Sequence, residues 1–319
     1  MSIGEFDLIA RHFTRPSRRD DVVVGVGDDC AVLSVPPGHE LAVSIDTLVA
    51  GRHFPVQTPP ADIARKAVAV NVSDLAAMGA TPAWMTLALT LPERDEAWLS
   101  AFAAGLFQAL DEHGMSLVGG DTTRGPLTLS LQAHGLVPAG RALRRTGARP
   151  GDRVVVSGTP GDAGYGLKLA LGQATATGAD AGYLRARLDR PTPRVALGLA
   201  LRGLASAAID VSDGLAQDLS HILAGSGVGA ELALERLPVS PALARVCAAP
   251  EAERLALAGG DDYELCFTVP AGAEPELPRL AQEAGVALTV IGTITATPGL
   301  RLFRNGQAVT LDASGFSHF

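Results

Sequence analysis

The sequence predicts a mixed α/β chain built from two domains. Three observations carry this expectation. The length of 319 residues exceeds what one hydrophobic core ordinarily organises, since domains run to roughly 100–200 residues. β-branched runs alternate with alanine- and leucine-rich segments of helical period along both halves. Around Pro138–Asp152 (PAGRALRRTGARPGD) the apolar residues give way to Pro, Gly and Arg, the texture of a linker. The expected division is residues 1–138, a linker over 139–152, and residues 153–319. Strands and helices do not follow a regular βαβ count, so α+β and a pair of α/β sandwiches both stay open.

The elements follow in order. The first 16 residues read as a short amphipathic helix with Phe6, Ile9, Ala10 and Phe13 on one face. Val22–Val26 is a strand that ends in Gly27-Asp28-Asp29, and Leu41–Ile45 is another that ends in Asp46-Thr47. Pro59-Pro60 opens a helix over Ala61–Met78, which Gly79 stops. Strand Met85–Leu91, helix Glu93–His113 and its closing Gly114 come next. Leu117-Val118 then leads into a glycine-rich turn, Gly119–Thr123, before strand Leu127–Val137. In the second half, strand Arg153–Ser157 meets the turn Gly158–Asp162 and a helix through Leu171. Gly172–Gly182 reads as a polar loop and Arg194–Ala205 as a helix. Strand Ala208–Val211 delivers Ser212-Asp213-Gly214 to a helix that runs to Leu223. Strand and helix alternate through Ile294, and Asn305-Gly306 turns a hairpin over Leu300–Leu311.

Composition narrows the function. Hydrophobic residues make up 47% and charged residues 19% of the chain, enough to bury a large interior and too few charges for disorder. A net charge of −8 disfavours broad attraction to nucleic acid or anionic lipid. Cys30, Cys247 and Cys266 are scattered; they form neither a disulfide framework nor a zinc cluster, which fits a reducing cytoplasm. No segment approaches ~18–20 uninterrupted apolar residues, and the amino terminus lacks a signal-peptide core. Lys66 and Lys168 are the two lysines among 26 basic residues, and neither stands in a P-loop.

The aspartates carry the chemistry. Asp28-Asp29, Asp46, Asp121, Asp210, Asp213 and Asp261-Asp262 fall at strand ends or in glycine-flanked turns, while Asp74 interrupts the apolar run Val68–Met78. Any one of them is ordinary turn chemistry. A carboxylate inside an apolar helix is costly, however, unless a cation or hydrogen bonds compensate it. Converging carboxylates without His or Cys partners point to hard oxygen ligation of Mg²⁺. Such clusters serve phosphate chemistry, and neighbouring glycines let backbone amides approach phosphate oxygens. Arg145, in the basic linker, is a candidate phosphate clamp. By the same reading Met78 and Trp84 are core, and Cys30 is a buried structural cysteine.

Eight segments together resemble the thiamine-monophosphate kinase family, within the superfamily of aminoimidazole-ribonucleotide synthetase. They are GEFDLIARHF (4–13), GVGDDCAVL (25–33), DTLVAGRHF (46–54), KAVAVNVSDLAAMGATP (66–82), GGDTTRGPL (119–127), RTGARPGD (145–152), AIDVSDGL (208–215) and GGDDYELCF (259–267). The resemblance implies an amino-terminal α/β domain that dimerises into a β-barrel and a carboxy-terminal α/β sandwich. It implies ATP-dependent phosphorylation of thiamine phosphate to thiamine diphosphate by direct transfer, with several Mg²⁺ ions and K⁺ as a candidate further cation. Asp29, Ser44, Ile45, Asp46, Asp74, Asp121, Asp210 and Asp213 match metal positions. Gly120, Asp121, Arg145 and Ser212 match ATP positions. His53, Asp261 and Ala313 match the substrate side. His53 by itself, within Gly51–Pro55, would read as a structural loop residue.

Two positions depart from the family pattern. Ile45 stands where threonine is usual, and Ala313 where an aromatic residue lines the thiamine site; Phe316 or Phe319 are candidates to cover the same space. Another ATP-dependent activity of the superfamily, activation of an amide or formyl oxygen, is the alternative enzyme. A non-catalytic nucleotide-binding protein is the alternative from a different class.

Overall fold

A computed structural model describes residues 5–310 of the chain. Its internal contacts divide it into two units: the chain up to Leu75 together with Ala80–Gly140, and Ala76–Gly79 together with the chain from Arg141 onward. The matched position of Ala313, and Phe316 and Phe319 with it, lies outside the described residues.

The first unit runs α1 (Glu5–His12), β1 (Val22–Val24), β2 (Val32–Leu33), β3 (His39–Val49), α2 (Pro60–Ala77), β4 (Thr81–Leu91), α3 (Glu96–Glu112), β5 (Ser116–Arg124) and β6 (Thr128–Pro138). Four strands form one sheet in the order β3-β6-β4-β5. β4 and β5 are parallel because α3 carries the chain back between them, and the other pairs are antiparallel. Pro60 opens α2, where a missing N–H costs nothing. Asp95 caps α3 by accepting from the amides of Ala97 and Trp98 at 2.8 and 3.1 Å, which is why this helix starts at Glu96 and not at Glu93.

The alternation of side chains makes the sheet two-faced. Leu48, Leu129, Leu131, Leu87 and Leu89 are buried on one face. The opposite face of β3 leaves Leu41, Val43 and Ile45 exposed, the last at 61%. The sheet is open, with β3 and β5 at its edges, and no closed barrel occurs among the described residues.

Three local readings are corrected. Gly119–Thr123 is not a turn but the middle of β5. The paired strand leaves no room for a side chain at Gly120: a Cβ there would sit 1.9 Å from the Leu87 carbonyl oxygen. Glycine composition thus marks a close backbone approach, and not a bend. Met78 is exposed at the end of the α2 segment, and Cys30 is exposed in its turn; neither belongs to the core. Trp84 does, fully buried with its Nε1 donating to Asp21 at 2.9 Å.

The second unit runs β7 (Arg153–Ser157), α4 (Asp162–Ala170), α5 (Gly178–Asp189), α6 (Val195–Leu201), β8 (Ala207–Val211), α7 (Leu215–Ser226) and β9 (Gly229–Ala233). It continues through α8 (Pro241–Val246), α9 (Ala249–Ala258), β10 (Glu264–Val269), α10 (Leu277–Ala284), β11 (Leu288–Thr295), β12 (Gly299–Arg304) and β13 (Gln307–Val309). Seven strands form a sheet in the order β13-β12-β9-β11-β7-β10-β8. β7, β8 and β10 are buried on both faces, so they read as continuous apolar runs. Val154, Ile209 and Val211 pack with Leu215, Leu219 and Ile222 of α7 on one side. Val155, Leu265 and Phe267 pack with α6 and α10 on the other. The segment read as a loop over Gly172–Gly182 already enters α5 at Gly178, because Leu184 and Leu188 are drawn into the interior. The Asn305-Gly306 hairpin forms as its sequence requires, with φ of 50° and 77° at the two turn residues.

The Gly120 contact predicts that Gly120→Ala forces β4 and β5 apart. The expected cost is about 2 kcal/mol or more, read as a lowered thermal midpoint. A melting curve that superimposes on that of the parent would refute the strand pairing at this position.

Candidate active site

In the first unit the acidic residues gather at two places. The first is the β3–α2 contact. Ser44 and Asp46 alternate on the face of β3 that also carries buried Leu48, and α2 brings Asn71 and Asp74 to them from three residues apart on one helical face. Ser44 Oγ donates to Asp74 Oδ2. The Asp46 amide donates to Asn71 Oδ1 at 3.2 Å, and Asn71 Nδ2 is fixed in turn by the Ala67 carbonyl at 2.9 Å. Burial, and then the neighbouring Asp74 carboxylate, push the Asp46 carboxyl up to about 6. Two like charges share this place. Ile45 lies between Ser44 and Asp46, so its side chain points to the opposite, exposed face. Its carbonyl is the group it has to offer.

The second place is a cavity of about 590 Å³. Ile9 and Phe13 form one wall, the acidic turn with Asp29 and Cys30 another, and β4 and β5 contribute Thr86, Gly120 and Asp121. Asp29 and Asp121 are both exposed there. The register sets Asp121 in the row of Ala88, Ser130 and Thr47, while Asp46 stands in the row of Leu131, Leu87 and Gly120. Alternation therefore assigns Asp46 and Asp121 to opposite faces of the sheet. Among the described residues, no three His, Cys, Asp or Glu side chains stand close enough together to hold a metal ion by themselves.

His53 occupies the turn after β3, where its Nδ1 accepts from the Val49 amide at 3.0 Å. That bond requires a lone pair on Nδ1, so the ring proton sits on Nε2.

In the second unit the candidates lie at the end of β8 and in the loop before β10. Asp210 is buried at 4% exposure, while Ser212 and Asp213 are half-buried in the turn that begins α7. Arg145 is exposed in the segment leading toward β7. Asp261 sits in a loop with unusual backbone: Gly260, Asp261 and Tyr263 have φ of 65°, 59° and 51°. For the two residues with side chains this is a strained conformation. The loop is held because the Asp261 amide donates to the Ser212 carbonyl at 2.7 Å and the Tyr263 amide to that of Val211 at 2.8 Å. The Tyr263 hydroxyl donates to Asp261 Oδ1 at 3.1 Å.

Three further carboxylates support these turns: Asp218 and Glu264, which sequence reasoning did not single out, and Asp262, which it marked only as part of an acidic pair. Asp218 Oδ2 accepts from the amides of Ser212, Asp213 and Gly214 at 3.0, 3.1 and 3.2 Å. Burial nevertheless pushes its carboxyl up to about 7. Asp262 accepts from the amides of Gly161 and Ala163 at the start of α4, and burial raises it well above the usual carboxylate range. Glu264 is fully buried, and burial by itself would raise it. Arg194, at 2.6 and 2.5 Å, and Arg187, at 2.8 Å, outweigh burial and hold it below its ordinary value. The available signals were weak: an acid four residues after a glycine N-cap, a doubled aspartate, and a glutamate opening an apolar strand.

Comparison with known proteins follows the same division. The model of AIR synthase related protein, N-terminal domain, matches residues 27–137, and that of the C-terminal domain matches residues 149–305. The chain is 54% identical to thiamine-monophosphate kinase of Escherichia coli K12 over 322 aligned positions, covering 100% of this chain and 99% of the relative. Among solved structures, thiamine-monophosphate kinase from Stenotrophomonas maltophilia superposes with a TM-score of 0.88 at 51% identity, over 97% of this chain and 99% of the other. AaThiL complexed with AMPPCP and TMP superposes with a TM-score of 0.79 at 32% identity, over 99% and 97%. By matches that run its full length, the chain belongs to the thiamine-monophosphate kinase family.

Proposed function

We propose that this protein phosphorylates thiamine phosphate to thiamine diphosphate at the expense of ATP, with Mg²⁺. The observation that carries the proposal is the full-length identity of 54% to a thiamine-monophosphate kinase. The related AaThiL structure holds AMPPCP and TMP together.

The β3–α2 site fits a hard divalent cation. Asp46 and Asp74 are two hard-oxygen ligands in contact, with a hydroxyl beside them and no soft donor. Asp29, Asp121, Asp210, Asp213, Ser44 and the Ile45 carbonyl complete the proposed ligands for several ions, with K⁺ a further candidate cation. Bound Mg²⁺ neutralises phosphate oxygens and absorbs the charge that develops during transfer. The cavity beside Gly120 and Asp121 takes the nucleotide, Arg145 offers a planar fork to its phosphates, and Ser212 donates a hydroxyl. Asp261 supplies negative charge toward a cationic substrate, and His53 donates from Nε2. Ala313, or a nearby carboxy-terminal aromatic residue, completes the substrate side.

Cys247, Cys266 and His53 are poorly prepared as covalent nucleophiles. Burial, and next Glu251, push the Cys247 thiol up to about 11; complete burial raises Cys266 further. The His53 Nδ1 is engaged by a backbone amide. Transfer is in-line, from ATP to the terminal phosphate of thiamine phosphate.

Assembly as an isologous homodimer belongs to the same proposal. β3 is an edge strand whose outer face presents Leu41, Val43 and Ile45. An apolar edge of this kind pairs with another chain or aggregates. Two open sheets joined along it would make the expected barrel.

Three outcomes follow. Incubation with labelled ATP and thiamine phosphate yields ADP and labelled thiamine diphosphate, and acid-quenched protein carries no label; kinetically competent label on the protein would refute direct transfer. ADP release only with amide or formyl acceptors would favour the superfamily's ligase chemistry, and bound but unconverted ATP a binding protein. Asp74→Asn keeps the acceptor for Ser44 but removes one of two adjacent charges. Turnover should fall by about 100-fold or more, metal-free stability should stay equal or rise, and the Mg²⁺-induced increase in melting temperature should shrink. A lower metal-free melt with near-normal turnover would mark Asp74 as purely structural. Finally, the protein should scatter light as a dimer at micromolar concentration, and Ile45→Asp should shift it to monomer; a fully active monomeric parent would exclude the dimer.

A further inference from the structure

Asp218 lies within the first turns of α7, three per cent exposed. Its side chain reaches back past the start of its own helix, and one oxygen, Oδ2, accepts from three consecutive backbone amides, those of Ser212, Asp213 and Gly214. The carbonyl side of the same strand end is held by a different loop, through the amides of Asp261 and Tyr263. The turn is therefore clamped from both sides, its donors by Asp218 and its acceptors by the Gly260–Tyr263 loop. The Gln217 side-chain Nε2 donates to Asp213 Oδ2 at 3.2 Å. Gly214, with φ of 122°, cannot gain a side chain without meeting the Ala258 backbone, so the turn has one conformation in which to be held.

We propose that Asp218 is a positioning residue for phosphoryl transfer: it touches neither substrate, and it fixes the main chain that presents Ser212 and Asp213. This rests on the kinase reading above. Its Oδ2 is taken up by three amides of its own turn, so the bonds it makes are to the main chain that carries Ser212 and Asp213. Capping the helix alone requires no bonds to Ser212 and Asp213, which lie before the N-cap residue Gly214.

The test compares Asp218→Ala with Asp218→Asn. Asparagine still offers an oxygen to the three amides; alanine offers none. Asp218→Ala should lower kcat by about 100-fold and weaken binding of a non-hydrolysable ATP analogue in calorimetry. KM for thiamine phosphate should stay within about threefold of the parent, because Asp218 bonds neither His53 nor Asp261 and the Tyr263 hydroxyl still holds the Asp261 side chain. Hydrogen exchange at the amides of 212–214 should accelerate while the later turns of α7 stay protected. Asp218→Asn should recover kcat to within about tenfold of the parent. The inference is overturned if Asp218→Asn falls as far as Asp218→Ala at an unchanged melting temperature, since the charge itself would then be required. It is also overturned if Asp218→Ala keeps kcat within about threefold, or leaves exchange at 212–214 unchanged. Should Asp218→Ala not fold, the Asp218→Asn arm still decides. A parent that phosphorylates nothing would sink the kinase reading and leave the exchange arm to judge the clamp.

Discussion

A carboxylate taken out of water must find donors, and the β8–β10 end of the second sheet is built around that demand. Asp218, Asp262 and Glu264 are all at or below three per cent exposure. Asp218 and Asp262 are met by backbone amides of turns, and Glu264 by the guanidinium groups of Arg187 and Arg194 with the Ser157 hydroxyl at 2.6 Å. The turns that carry Asp213 and Asp261 owe their shapes to these buried neighbours. Removing one partner would leave the other unmatched inside the protein, so the elements hold one another in place.

The first unit meets a different version of the same problem. Asp46 and Asp74 face one another with a hydroxyl and a carboxamide around them. Around this pair the sheet is tightly constructed: the approach of β5 to β4 at Gly120 leaves no space for a methyl group. The glycines in GGD therefore serve strand packing first, and the access of main-chain atoms to a ligand comes with it.

Family membership and physical arrangement agree in a specific way. Most positions that match the family's metal, nucleotide and substrate residues are half-buried or exposed, whereas the residues that shape their turns are buried. On the proposed function, chemistry would be presented by side chains that reach solvent, and its precision would come from side chains that do not. Ile45 illustrates how the pattern tolerates change. Its side chain belongs to the outer face of β3, so replacing a hydroxyl residue there alters the apolar edge and leaves the Ser44–Asp74 bond on the inner face intact.

Legible in the sequence were the two-part α/β plan, many of the strands and helices, the turn at Asn305-Gly306 and the family. These depend on periodicity, on glycine and proline punctuation and on strings such as SDLAAMGA, all of which are local. It also marked the aspartates, because a charge at the end of an apolar run is visible without coordinates. Tertiary structure alone decided which of them meet. Asp46 and Asp74 lie 28 positions apart in the chain and come together only through the packing of α2 on β3. The burial of Leu184 and Leu188 converted an apparent loop into α5, and the pairing of β5 with β4 converted an apparent turn into a strand. Asp218 and Asp262 were unreadable as supports for a further reason. Their partners are backbone amides, which every residue possesses, and no residue type in the sequence records which amide a fold will bring to a carboxylate.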